Sequence, residues 1–160
     1  MIGIDDQIAA MATRWPSFAV VAKEGRGAVW EGTLTPVKKR YRVRIAYTVP
    51  WAIEMFSIVD VQPRVQVIDP TLERHPEFDD GPVPHVYVNR HAVELPYLCL
   101  FDPFSLEWSP GDLLADTTVH WTSRYLYFYE GWLVTGKWLG GGRHPTAEER
   151  GNGDTKSIAA

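Results

Sequence analysis

Cys99 is the only cysteine of the chain, and it stands in the peptide YLCLFDPFSLEWSP, which runs from Tyr97 to Pro110. Flanked by Leu98 and Leu100, it has the simplest reading of a small apolar residue in a core. The surrounding peptide argues for a second reading. Pro96, Pro103 and Pro110 punctuate it, so it is an irregular segment of the kind that presents reactive groups. A thiolate there could attack an acyl carbonyl and hold it covalently. His120 follows twenty-one residues later and could pair with the thiol in a hydrolase-type dyad. No protease signature surrounds either residue, and a capping or surface histidine is the plainer reading. One cysteine and five scattered histidines offer no zinc spacing, so no metal or other cofactor is expected. VTGKWLGGG is not a phosphate loop, because Trp138 follows Lys137 where Ser or Thr is needed. Gly140 and the two glycines after it suggest the end of a ubiquitin-like modifier, but that reading leaves the cysteine peptide unexplained.

The peptide resembles the active-site segment of ubiquitin-conjugating enzymes. In that family the acceptor cysteine sits in an Ile-Cys-Leu triplet, and Trp-Ser-Pro follows about nine residues later. Leu98-Cys99-Leu100 and Trp108-Ser109-Pro110 match that arrangement, and Pro63, Val65 and Val67 match an upstream Pro-x-Val-x-Phe strand. The resemblance implies that Cys99 is a thioester-forming nucleophile on a solvent-reachable sulfur, with Trp108 and Pro110 as scaffold of its loop. It also implies a His-Pro-Asn triad before the cysteine, and this chain has none. An ungapped count puts His91 where the asparagine would fall; a displaced count makes Pro84-His85-Val86-Tyr87 the remnant. His85, Asn89 and His91 are therefore all candidates to support an oxyanion. Asp102, Asp112 and Asp116 are candidates to deprotonate an incoming amine.

The first helix is acidic, with Asp5 and Asp6, whereas eukaryotic members use a basic one to dock an activating enzyme. The end of the chain's last helix is similar to the stand-alone conjugating-enzyme-like proteins of bacterial CBASS anti-phage operons. That likeness implies a protein partner acting through its C-terminus, a cGAS-like nucleotidyltransferase. A catalytically inactive binding module of the same UBC fold, keeping Cys99 only for packing, is the alternative.

These residues need elements to hold them. Ile4, Ile8, Met11 and Trp15 recur at helical spacing, and Pro16 closes that helix. Ala28–Leu34 and Tyr41–Tyr47 alternate as strands, with Lys38 and Lys39 in the turn between them. SIVDVQ and RVQVI supply further strand material on either side of Pro63. The connection DPTLERHPEFDDGPVP reads as too polar for a core. Beyond Pro110 the period changes to three and four: Thr117 or Thr118 caps a helix carrying Trp121, Tyr125, Leu126, Phe128, Tyr129, Trp132 and Leu133, and Gly136 ends it. The order is α+β: a helix, an antiparallel meander of about four strands, the irregular active-site segment, then a long helix. Residues 1–139 are expected to form one UBC-like domain and 140–160 a flexible tail.

Bulk properties bound the partners. A chain of 160 residues with seven tryptophans can bury a real core. The net charge is −4 and the sixteen basic residues are scattered, which gives no nucleic-acid footprint. No apolar run nears the ~20 residues that cross a bilayer, and Asp5 and Asp6 interrupt any signal-peptide core. A cytoplasmic protein is expected, and a lone cysteine suits that compartment.

Overall fold

The computed structural model of the chain describes residues 1–78 and 81–141. It is a mixed helix and sheet fold, α+β and UBC-like. Helix α1 (Ile4–Arg14) leads into strands β1 (Ala19–Glu24), β2 (Gly27–Leu34) and β3 (Tyr41–Thr48). A short helix α2 (Ile58–Val61), strand β4 (Arg64–Asp69), two two-residue strands β5 (Val86–Tyr87) and β6 (Tyr97–Leu98), and helix α3 (Thr118–Thr135) complete the order. The strands β1-β2-β3-β4 form one antiparallel sheet in sequence order, and β5 pairs with β6 separately.

Alternation sets the sheet's two faces. Ala28, Trp30 and Leu34 of β2 and Tyr41, Val43, Ile45 and Tyr47 of β3 are buried, as are Val65 and Val67 of β4. The register brings them into rows, with Trp30 opposite Ile45, Ile45 opposite Val65 and Val43 opposite Val67. Cross-strand apolar pairs of this kind are the unit of sheet stabilisation. Arg44 and Arg42 project from β3 to the carboxylate of Glu31 on β2, with Arg44 Nη2 2.6 Å away. Those hydrogen bonds hold the Glu31 carboxyl below its ordinary value. Helix α3 lays Tyr125, Leu126, Tyr129 and Trp132 against the same core, and Tyr129 meets Tyr41 edge-on at 6.4 Å. The aromatic stripe read from the sequence is thus largely core. Gly136 stops α3 in the left-handed conformation, φ 72°, that glycine adopts without strain.

Three expectations need correction. SIVDVQ is not a strand: the Asp60 carboxylate accepts hydrogen bonds from the Ser57 N–H at 3.2 Å and its hydroxyl at 2.7 Å, which starts a helical turn instead. The fourth strand is β1, an edge strand exposed along its whole length. The connection after Asp69 is not wholly outside the core either, since Leu72 is buried and Phe78 packs against the cluster. Thr71, Glu73, Arg74 and Glu77 are exposed while single apolar side chains turn inward without a period.

Of the expected tail, Gly140 packs against Trp138 and Phe128. Residues 142–160 lie outside the described residues. Among the described residues no helix is long and apolar enough to cross a membrane, and no cluster of three metal-ligating side chains occurs.

Candidate functional site around Cys99

Strands β5 and β6 place the cysteine. Val86 pairs with Leu98 and Tyr87 with Tyr97. One residue further along, the Cys99 N–H donates to the His85 carbonyl at 2.9 Å, so Cys99 extends the ladder opposite His85. Strand alternation sends Leu98 into the core and Cys99 to the face shared with Tyr87. The thiol accordingly lies 3.2 Å from the Tyr87 hydroxyl and donates a longer contact, 3.7 Å, to the Phe101 carbonyl. Cys99 is only 7% exposed, which corrects the expectation of a reachable sulfur. The segment folds back so that Leu98 and Phe101 enter the core on either side of it.

His85 itself is in the left-handed region, φ 51°. Histidine is among the few residues found there with some frequency. The preceding carbonyl, of Pro84, accepts a 2.8 Å hydrogen bond from the buried Tyr125 hydroxyl. Burial, then the neighbouring Tyr129 and Cys99, push that hydroxyl well above its ordinary pKa, so Tyr125 remains a donor. The Pro84–His85 turn is thereby tied to α3, and Cys99 is tied to the turn.

The segment after Cys99 is anchored at several points. Phe101 lies 5.9 Å from Trp108 and 5.4 Å from Trp121, ring to ring. Trp108 is 1% exposed and meets Tyr47 edge-on at 5.8 Å. The Pro110 carbonyl accepts the Ile2 N–H at 2.9 Å. Asp112 closes the next turn by accepting from the Ser109 N–H and hydroxyl at 2.8 and 3.0 Å. Gln7, fully buried on α1, then clamps the segment from the other side. It donates to the Asp112 carbonyl and accepts from the Leu114 N–H, each at 2.9 Å.

The three candidates for oxyanion support separate by position. His85 is opposite Cys99 in the ladder, whereas Asn89 and His91 belong to the connection beyond the Tyr87–Tyr97 pair. Asn89 is buried and uses its side chain to close that connection. Its amide donates to the Leu95 carbonyl at 3.1 Å, and its oxygen accepts the His91 N–H at 3.1 Å. Gln66 of β4 donates to the same carbonyl at 2.8 Å. The His91 side chain is exposed. Among the carboxylates, Asp112 serves its turn and Asp116 pairs with Arg14 at 3.2 Å. Asp102, three residues from Cys99, accepts the Phe104 N–H at 3.0 Å and is partly exposed. His120 is exposed and stands edge-on to Trp15 at 5.0 Å.

Tyr87 is the neighbour of the sulfur that the sequence did not reveal. Two-residue strands are too short to show an alternation, so nothing in the sequence put Tyr87 on the sulfur's face. A family model described as Type II CBASS E2 protein matches residues 7–145. A search of curated proteins finds no match for this chain.

Proposed function

The chain belongs to the Type II CBASS E2 protein family, and from that premise we propose that Cys99 is an acyl carrier in anti-phage conjugation. Its thiolate attacks the carbonyl carbon of a partner's C-terminus already activated as an adenylate or thioester. The C–S bond forms and the bond to the activating group breaks. An amine then attacks the thioester, forming a C–N bond and releasing the thiolate, and a carboxylate takes the amine proton. Asp102 is the carboxylate nearest in the chain. The partner in this reading is the C-terminus of a cGAS-like nucleotidyltransferase.

The observation that carries the reading is the setting of the sulfur. It lies on a short hairpin, hydrogen-bonded to Tyr87, at the start of a segment whose Trp108 and Pro110 are fixed by packing and backbone contacts. Once the thiol ionises, the Tyr87 hydroxyl can reverse its role and donate to the sulfur. A hydrogen bond to a charged group contributes about 1.5–3 kcal/mol, so Tyr87 favours the thiolate. Of the oxyanion candidates we favour His85, because it is the one beside Cys99 in the ladder.

The burial of Cys99 favours a second reading, a binding module of the same fold whose cysteine only packs. The two readings part in one experiment. The chain is incubated with the nucleotidyltransferase and the rest of its operon, and covalent species are resolved without reductant. A carrier gives an adduct that Cys99→Ala abolishes while the partner still binds. Partner binding with no adduct in the native chain leaves the module reading.

A further inference from the structure

After Gly136 reverses the chain, residues 137–141 run back along α3 instead of leaving it. Trp138 lies on Tyr125 at 5.1 Å and on Phe128 at 6.1 Å, ring to ring. It also stacks on His85, with centroids 5.2 Å apart and planes 28° from parallel. The fold-back is tight. A Cβ at Gly140 would fall 2.6 Å from the Trp138 indole nitrogen and 2.9 Å from the Phe128 ring, so only glycine lets the strap close over the indole. Thr135 anchors the start, accepting from the Lys137 N–H at 3.2 Å.

The two residues that Trp138 shares between them, His85 and Tyr125, are those that flank the cysteine. His85 accepts the Cys99 N–H, and Tyr125 holds the Pro84 carbonyl one residue before. We infer that the Trp138 strap is a gate on Cys99, closed in this structure, and that it must lift off His85 and Tyr125 before the sulfur can meet a carbonyl. This explains why a nucleophile in the proposed role is 7% exposed. The strap can lift without unfolding a helix or strand, because it lies outside all of them and its Leu139 is 70% exposed. Local opening of such a segment costs less than global unfolding.

The purpose assigned to the gate rests on the carrier reading, but its existence is tested without it. Because Cys99 is the only cysteine, labelling of the native chain by N-ethylmaleimide reads its exposure directly. The native rate should respond weakly to urea below the unfolding transition, the sign of a local opening. Trp138→Ala should label at least tenfold faster, equivalent to about 1.4 kcal/mol in the opening equilibrium. Leu139→Ala, in the same strap with an exposed side chain, should label at the native rate. Should Trp138→Ala prove unfolded, Trp138→Phe retains a smaller ring on His85 and should label at an intermediate rate. Equal labelling of the folded Trp138 variant and the native chain overturns the gate. So does native labelling that follows the full urea slope of global unfolding. If the gate behaves as stated but neither native chain nor Trp138→Ala forms an adduct with partner, the carrier reading fails and the gate stands.

Discussion

Gln7→Ala tests how the segment after Cys99 is held. Gln7 is 0% exposed, and its amide bridges the Asp112 carbonyl and the Leu114 N–H, more than a hundred residues away. Truncation removes both hydrogen bonds and leaves the Leu114 N–H buried without its acceptor, at a cost of about 1–3 kcal/mol. The half-buried Asp112 carbonyl adds about 1 kcal/mol, and the lost packing of the side chain adds about 1 kcal/mol more. The expected loss is about 3–5 kcal/mol, a large share of the ~5–15 kcal/mol of an ordinary domain. Urea denaturation followed by tryptophan fluorescence should show a midpoint lower by about 1–2 M with an unchanged slope. Gln7→Leu fills most of the space but makes neither bond, and should still lose about 2 kcal/mol. Gln7→Glu adds a pH signature. Protonated, it can both donate and accept as the amide does; ionised, it is a buried charge, so its folded pKa is raised. Its stability should therefore be best below the ordinary carboxylate value near about 4.3 and fall as pH rises. Losses under 1 kcal/mol for both Gln7→Ala and Gln7→Leu would refute the clamp.

Further outcomes follow from the site and its surroundings. Tyr87→Phe should slow adduct formation about tenfold or more at neutral pH by removing a donor to the thiolate, whereas His91→Ala, on the exposed connection, should leave the rate near native; the reverse order would return His91 to the site. Burial pushes Tyr47 and Tyr129 up to about 12, Tyr41 further, and Tyr125 well above its ordinary value. Stability from these groups is complete below the unfolded value of about 10 and lost above it, at about 5 kcal/mol per pH unit for the four together. The urea midpoint should hold to pH 9 and collapse by pH 11, and a flat profile contradicts the burial of their hydroxyls. Glu31→Gln should destabilise the chain at neutral pH, with the difference from native shrinking as pH falls below the ordinary carboxylate range toward the depressed value of Glu31; a difference independent of pH would mean that the Arg42 and Arg44 contacts contribute nothing.

How far the sequence reveals this molecule depends on the length of each signal. Strands β2 and β3 alternate over eight residues, and α3 repeats its aromatics over five turns, so both were legible. Edge strand β1 buries neither face, which leaves no alternation to read. Ser57 and Asp60 carry a helix start that the β-branched Ile58, Val59 and Val61 around Asp60 mask. At the candidate site, Cys99, Trp108 and Pro110 could be singled out from the sequence because they sit in one contiguous peptide. Gln7 shares the inward face of α1 with Ile4 and Met11, yet a glutamine there looks like surface until its two partners, far away in the chain, are known. The same holds for Trp138, whose meaning depends on a chain reversal at Gly136 and on His85, more than fifty residues earlier.

The linkage itself is the most direct test of the account. The covalent complex of the native chain with its partner is isolated, and its mass is read before and after hydroxylamine or reductant. A thioester on Cys99 is cleaved by hydroxylamine, which frees the Cys99 thiol and leaves the partner's C-terminus as a hydroxamate, and by a thiol reductant through exchange; Cys99→Ser gives a slower-forming oxyester that resists the thiol. An adduct that survives hydroxylamine unchanged, or that persists in Cys99→Ala, is held elsewhere and contradicts the central claim.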